Sequence, residues 1–330
     1  MKAFVCNEFG PVESHKIEDV DDPVAGPGQV VVDIKATGIS FPDVLIVQGL
    51  YQFKPPFPFS PGSEISGVIS SVGEGVTLHK EGDRVMGSIG SGGLCEKGVY
   101  SEHQLMPLPE SMDFNTAAGF PLNYGTTYHA FKQRGELKEG QSVLVLGAGG
   151  GLGITAIHIA KAMGAKVIAA ASSQEKIDLC KKEGADEGII YERDMDRDLQ
   201  KKFSDQIKDV TGGGVDMIYD LVGGDYAEPA LRAIARHGKY LVIGFTAGIP
   251  KMPLNLTLLK ECQIIGVFWG QFAGLDQAEN QQNFKELFEL HAKGEINPFV
   301  TETFTLEESA KAIKTLEDRK VLGKVVVSME

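Results

Sequence analysis

The run Val143-Leu144-Val145-Leu146-Gly147-Ala148-Gly149-Gly150-Gly151-Leu152-Gly153 decides how this chain is read. It begins as a short apolar strand, Ser142 to Leu146, and passes into a glycine-dense turn. From Gly151 to Met163 the residues Leu152, Ala156, Ile159 and Met163 recur at helical spacing, so a helix with one apolar face is predicted there. The turn contains Ala148-x-Gly150-x-x-Gly153. Glycines in such a turn let the backbone bend sharply and approach a pyrophosphate, which rests on the free N–H groups and positive dipole end of the helix. A merely flexible turn would carry similar glycines. The strand before it, the helix after it and a further β run some twenty residues on make it a dinucleotide site, with Gly149, Gly150, Gly151, Leu152 and Gly153 as its lining.

Working outward, apolar runs alternate with helical segments: Ser142 to Leu146, Lys166 to Ala170, Glu187 to Ile190, Val215 to Asp220, Lys239 to Gly244 and Gln263 to Phe268. Six strands joined by right-handed crossovers predict an α/β domain, a doubly wound parallel sheet of the Rossmann kind. Before Asn115 the pattern is different. Strands at Gln29 to Thr37, Glu64 to Val72 and Gly98 to Leu105 are separated by turn signals such as Ala25-Gly26-Pro27-Gly28 and Glu81-Gly82-Asp83, which predicts a compact, twisted β domain. Helices are expected near Asn283 to Lys293 and Leu306 to Asp318, and a last strand, Lys324 to Ser328, is expected to return to the N-terminal domain. The boundaries read from these shifts are 1–123 with 270–330 for the substrate domain and 124–269 for the dinucleotide domain.

Composition narrows the function. The 330 residues suit two domains. Glycine, at 40 residues, is about 12% against an average near 7%, as sharp strand-to-helix turns demand. The net charge of −13, with no long Lys/Arg cluster, argues against nucleic acid and against anionic membrane surfaces. The N-terminus lacks a secretory pattern and no apolar run approaches ~20 residues, so a cytoplasmic protein is expected. The four cysteines, Cys6, Cys95, Cys180 and Cys262, follow neither metal-ligand nor disulfide spacing and read as reduced, inert thiols.

The end of the second strand bears on the cofactor. An NAD site places Asp or Glu there for the ribose 2′-hydroxyl. This chain reads Ile168-Ala169-Ala170-Ala171-Ser172-Ser173-Gln174-Glu175-Lys176. Small residues and hydroxyls fill the carboxylate's place, and a lysine follows one turn into the next helix. A 2′-phosphate fits that arrangement, so NADPH is the expected cofactor, with Ser172, Ser173 and Lys176 as its contacts. Lys176 also reads as a solvated helix residue. Tyr191 reads either as a neighbour of the adenosine or as a half-exposed core tyrosine.

Other motifs carry a resemblance over essentially the whole chain. Gly38-Ile39-Ser40-Phe41-Pro42-Asp43-Val44-Leu45, Gln48-Gly49-Leu50-Tyr51, Pro58-Phe59-Ser60-Pro61-Gly62-Ser63-Glu64, Glu81-Gly82-Asp83-Arg84-Val85, Tyr124-Gly125-Thr126-Thr127 and Gly323-Lys324-Val325-Val326 resemble the quinone oxidoreductase branch of the medium-chain dehydrogenase/reductases, which includes zeta-crystallin. Gly266-Val267-Phe268-Trp269-Gly270 is similar to a quinone oxidoreductase-like subgroup. The resemblance implies a GroES-like N-terminal domain. It also implies Tyr51 at the substrate mouth, Thr127 near the nicotinamide, and Gly244-Phe245-Thr246 with Phe268-Trp269-Gly270 along the nicotinamide half of the cofactor. Val222 and Lys324 are carried over with them as cofactor contacts. Trp269 alternatively reads as core. Zinc alcohol dehydrogenases of the superfamily carry Cys in the place of Ser40 and Gly-His-Glu in the place of Gly62-Ser63-Glu64, so no metal is expected here.

A quinone is electrophilic enough to accept hydride without a Lewis acid. The expected reaction is therefore hydride transfer from NADPH to a quinone or enone in a cleft between the domains, with Tyr51 and Ser40 as catalytic hydroxyls. Thr127 is a further candidate donor, and Phe41, Phe53 and Trp269 are candidate apolar walls. Asp43 reads as a helix cap. Two other functions remain open: reduction of activated alkenes such as enals, enones or enoyl thioesters, and a non-catalytic NADPH-binding sensor or structural role. The apolar edge of the sixth strand, with the resemblance, suggests a homodimer.

Overall fold

The computed structural model describes residues 1–329, and Glu330, which the sequence reading assigns to the first domain, lies outside the described residues. The chain divides into two compact units. One is Met1–Leu122 with the segment from Pro298 onward, and the other is Asn123–Asn297.

The second unit is built on a six-stranded parallel sheet. Its spatial order is Glu187–Ile190, Lys166–Ala171, Ser142–Leu146, Val215–Asp220, Ile234–Val242, Gln263–Gly266. The first strand in sequence is central because the chain winds outward through the helices Gly151–Ala162 and Gln174–Lys182. It then crosses back through Arg197–Thr211 to the other side. Val143 to Leu146 are wholly buried, as befits a strand with helices on both faces. Leu146 lies level with Ala170 on one neighbour and Asp220 on the other, and Asp220 with Val242 beyond. The loops that follow these strands therefore leave the sheet side by side, at the point where the winding reverses, which is where such sheets bind ligands.

Several details differ from the sequence reading. The fifth strand runs Ile234–Val242 and not from Lys239 to Gly244, and Gly98 to Leu105 is split between two strands, Lys97–Ser101 and Leu105–Pro107, by the short turn Glu102–Gln104. The helix Gly151–Ala162 is buried on nearly all sides from Gly153 to Ala160 and does not show a single apolar face. The sixth strand stops at Gly266, where Val267 N–H makes a last bond to the Val242 carbonyl, and Trp269–Leu275 is a helix. The second crossing between units falls after Asn297 and not after 269. Helices Trp269–Leu275 and Gln277–Ala292 belong to the sheet unit, because Lys132 and Gln133 both bond Asn283 there and Tyr128 donates to Glu286.

The first unit centres on the long strand Gln29–Ile39. It pairs antiparallel with Glu64–Val72 on one side and with Val325–Ser328 on the other, while Lys97–Ser101 pairs with its first half. Glu302–Thr305, Arg84–Ser88 and Leu105–Pro107 complete a seven-stranded sheet. The C-terminal strand thus joins the N-terminal unit, as the apolar run Val325-Val326-Val327 leads one to expect; all three valines are buried.

Candidate active site

In the first unit, the site follows from sheet register. Val325 pairs with Ile39, and Gly38 pairs with Glu64. The end of the central strand is therefore flanked by Lys324 on one neighbour and Glu64 on the other, with Ser40 between them. Lys324 Nζ donates to Glu64 Oε1 at 2.6 Å and to Ser40 Oγ at 2.8 Å. Ser40 Oγ donates to the same Glu64 oxygen at 3.1 Å, and Glu64 Oε2 accepts the Leu122 N–H at 2.8 Å. Glu64 is wholly buried and Lys324 and Ser40 nearly so. Mutual pairing together with these further bonds is what permits two charges to be buried.

Ser40 also opens the helix Phe41–Val47. Its N–H donates to Asp43 Oδ2 at 2.8 Å, so Asp43 does cap this helix. The Asp43 carboxylate reaches further, accepting the Gly62 N–H at 3.1 Å and the Ser63 hydroxyl at 3.3 Å, which ties the helix start to the loop before Glu64. Burial pushes the Asp43 carboxyl up to about 6, against the pull of the Ser40 N–H and of Lys324. Tyr51, just past this helix, is half-buried against a cluster that includes Ile39 and Val44. Burial, then the negative charge of Asp43, raises its phenol above the ordinary tyrosine value, so it stays protonated and able to donate. Phe53 is half exposed and Phe41 half-buried.

In the second unit, the helix Gly151–Ala162 starts at Gly150, which is extended and serves as its N-cap. The helix packs directly on the turn. A Cβ on Gly153 would lie 2.5 Å from the carbonyl oxygens of both Gly147 and Ala148. Lys176 lies across Gly149, its Cβ and Cγ 2.8 Å from where a Gly149 Cβ would be. Ser173 caps the helix Gln174–Lys182, its Oγ accepting the Lys176 N–H at 3.3 Å. The strand end Ser172-Ser173 and Lys176 are therefore gathered beside the glycine turn. Gly151 and Leu152, which open the helix, are half-buried.

The loops after the fourth and fifth strands are laced to one another. Asp220 Oδ1 accepts the N–H groups of Val222 and Gly223 at 2.8 and 2.9 Å, and Oδ2 accepts the Tyr240 hydroxyl at 2.6 Å. Gly244 N–H bonds the Asp220 carbonyl, and the Thr246 hydroxyl bonds the Leu221 carbonyl at 3.2 Å. These bonds bring Val222, Gly244, Phe245 and Thr246 to one rim with the glycine turn, and Phe245 is left 44% exposed on it.

The other expected residues have these partners. Thr127 is wholly buried, with its hydroxyl 2.9 Å from that of Tyr219. Tyr191 packs on Tyr226 and Phe203, at 4.7 and 5.9 Å between ring centroids. Trp269 is core. Its indole lies over Gly125, meets Phe284 edge-on and donates to Asn280 at 3.0 Å, while Phe268 and Gly270 beside it are exposed. Lys324 has its ammonium on Glu64 and Ser40 of the first unit. Sequence reasoning gives Glu64 and Asp220 no role in a site. Each is a carboxylate at the end of an apolar strand, where burial is expected and a bonding partner is obligatory. Cys6, Cys95 and Cys180 are buried, which pushes each thiol up to about 12 and leaves it unreactive.

Two family models match the chain. Residues 26–112 match the alcohol dehydrogenase GroES-like domain and residues 151–293 match the zinc-binding dehydrogenase family. Quinone oxidoreductase-like protein 2 of Rattus norvegicus is 36% identical over 331 residues, covering 100% of this chain and 92% of its own. The rat quinone oxidoreductase is 33% identical, covering 94% and 92%. The structure of Escherichia coli quinone oxidoreductase complexed with NADPH superposes with a TM-score of 0.91 at 27% identity, covering 99% of this chain and 100% of that one. At 36% and 33% identity to these relatives over nearly its whole length, the chain is an oxidoreductase that belongs to the quinone oxidoreductase family of the medium-chain dehydrogenase/reductases.

Proposed function

We propose that this protein transfers hydride from NADPH to a quinone without a metal. The observation that carries this reading is the phosphate turn, where Gly153 is pressed against two carbonyls and Lys176 lies across Gly149 with no carboxylate at the strand end. That cradle suits a pyrophosphate, and its hydroxyls and lysine suit a 2′-phosphate. NADPH, when bound, supplies the hydride. The chain's own residues hold and polarise the acceptor. Tyr51 keeps its proton and donates to the oxygen on which negative charge develops, and the aromatic residues Phe41 and Phe53 favour a flat acceptor. Tyr51→Phe removes only that donor. The kcat is expected to fall tenfold or more, about 1.4 kcal/mol, with NADPH affinity unchanged. Turnover unchanged in this variant would remove Tyr51 from the mechanism.

Zinc independence is supported by the donor set. Ser40 and Ser63 are weak ligands beside thiolate and imidazole. An ammonium stands 2.8 Å from Ser40 Oγ, and a second cation there would be repelled. The test is NADPH oxidation with a panel of quinones and enones, with and without a chelator. Quinone turnover unaffected by the chelator is the expected result, while activity lost to it and restored by zinc would refute the metal-free reading. Preferential turnover of enones would reassign the acceptor, and NADPH binding without turnover would mark a sensor.

We further propose a cytoplasmic homodimer. The sixth strand, Gln263–Gly266, is a sheet edge, and Leu258, Leu259 and Phe268 stand exposed near it in sequence. Light scattering should give twice the 35.5 kDa of one chain, and a monomer at micromolar concentration would contradict it.

A further inference from the structure

We propose that Lys324 is a positioning residue for the Ser40 hydroxyl, holding its oxygen from one side so that its hydrogen is presented to an oxyanion of the acceptor. This deepens the reading above and rests on it in taking the first unit as the one that meets the acceptor. A serine hydroxyl has one hydrogen and two lone pairs. Here Lys324 occupies a lone pair at 2.8 Å and the hydrogen is directed at Glu64 Oε1 at 3.1 Å. The second bond is long for a hydroxyl on a carboxylate, where about 2.5–2.7 Å is usual. Glu64 does not depend on it, since Oε1 keeps Lys324 at 2.6 Å and Oε2 keeps the Leu122 N–H at 2.8 Å. Turning the hydrogen of Ser40 from Glu64 to an incoming oxyanion therefore exchanges the weakest bond of the cluster and leaves the rest intact.

A hydroxyl that accepts from a buried cation is also a stronger donor, because successive bonds polarise one another where water is excluded. The ligand class that this favours is one whose oxygen gains negative charge, such as a reduced quinone or enone before it is protonated. Without Lys324 the serine oxygen keeps only the Asp43 N–H of the capping box, and its hydrogen settles on a Glu64 that has lost its cation.

4-Nitrophenol, whose ionisation is read optically, serves as the probe on NADP⁺-loaded protein. The wild type is expected to bind the phenolate more tightly than the phenol. Ser40→Ala and Lys324→Met should each weaken phenolate binding about tenfold. The double variant S40A/K324M should be no worse than either single variant, since residues that act through one another do not add. Lys324→Arg, which keeps a cationic donor, should recover most of the loss. Where K324M does not fold, E64Q/K324M removes both buried charges together, leaves the Leu122 N–H an acceptor, and should show the same loss.

Additive losses in S40A/K324M, full phenolate affinity in K324M or E64Q/K324M, or equal wild-type affinity for phenol and phenolate would each overturn the proposal. Quinone turnover separates it from the reading on which it rests. A wild type that prefers phenolate as described yet reduces no quinone or enone defeats that reading alone. Turnover that K324M leaves unchanged defeats this one alone.

Discussion

Gly153→Val is expected to abolish useful dinucleotide binding while leaving the first unit folded. A Cβ at this position meets two backbone carbonyl oxygens, those of Gly147 and Ala148, at 2.5 Å, and neither belongs to a flexible side chain that can move aside. The helix and the turn must separate, and the N–H groups that would hold a pyrophosphate separate with them. NADPH affinity should fall at least a hundredfold, about 2.8 kcal/mol, as read by quenching or shift of nicotinamide fluorescence on titration. Overpacking should also destabilise the sheet unit by about 1–3 kcal/mol in urea unfolding. Gly274→Ala is the matched control. A Cβ there meets nothing within 4 Å, so binding should be unchanged. NADPH binding by Gly153→Val at the wild-type level would show that the cofactor is held elsewhere.

The second large effect is on cofactor choice. Ser172 and Ser173 follow the second strand, Lys166–Ala171, and Lys176 returns across the glycine turn from the helix that Ser173 caps. A charge-assisted bond from Lys176 to a 2′-phosphate is worth about 1.5–3 kcal/mol. Lys176→Ala should accordingly raise the KM for NADPH by about ten- to a hundredfold and leave NADH nearly unaffected. Ser172→Asp should go further and invert the preference, because a carboxylate repels the phosphate and accepts from a 2′-hydroxyl. The measurement is kcat/KM for both cofactors in the wild type and the two variants. A wild type that already prefers NADH would overturn this reading of the strand end, whichever acceptor is reduced.

Much of this architecture is legible in the chain because its signals are local. The strand Ser142–Leu146, its glycines and the helix after them lie within some twenty consecutive residues, so apolar period and turn chemistry suffice to read them. The same holds for Glu64–Val72 and Val215–Asp220, whose limits the structure leaves where the sequence pattern puts them. The end of the sixth strand is not legible for a related reason. Gln263 to Phe268 is uniformly apolar after its first residue, and nothing local distinguishes a strand from the start of a helix. The indole of Trp269, drawn in between Gly125 and Phe284, ends the strand through contacts more than a hundred residues away in one case.

By itself, then, the sequence determined that a parallel sheet carries a glycine-dense turn after its first strand and Ser172-Ser173, not a carboxylate, after its second, and that Ser40 and Ser63 stand where the resemblance would place Cys and His. Only the tertiary structure decided what Ser40, Thr127 and Lys324 are bonded to. Ser40 and Lys324 are 284 residues apart and meet because Val325 pairs with Ile39, while Glu64 joins them through a second register. Thr127 has its hydroxyl beside that of Tyr219, 92 residues on. A side chain's type states which bonds it can make. Which of them it does make depends on the partners that strand register and burial bring within 3 Å, and those long-range pairings leave no periodic mark along the chain.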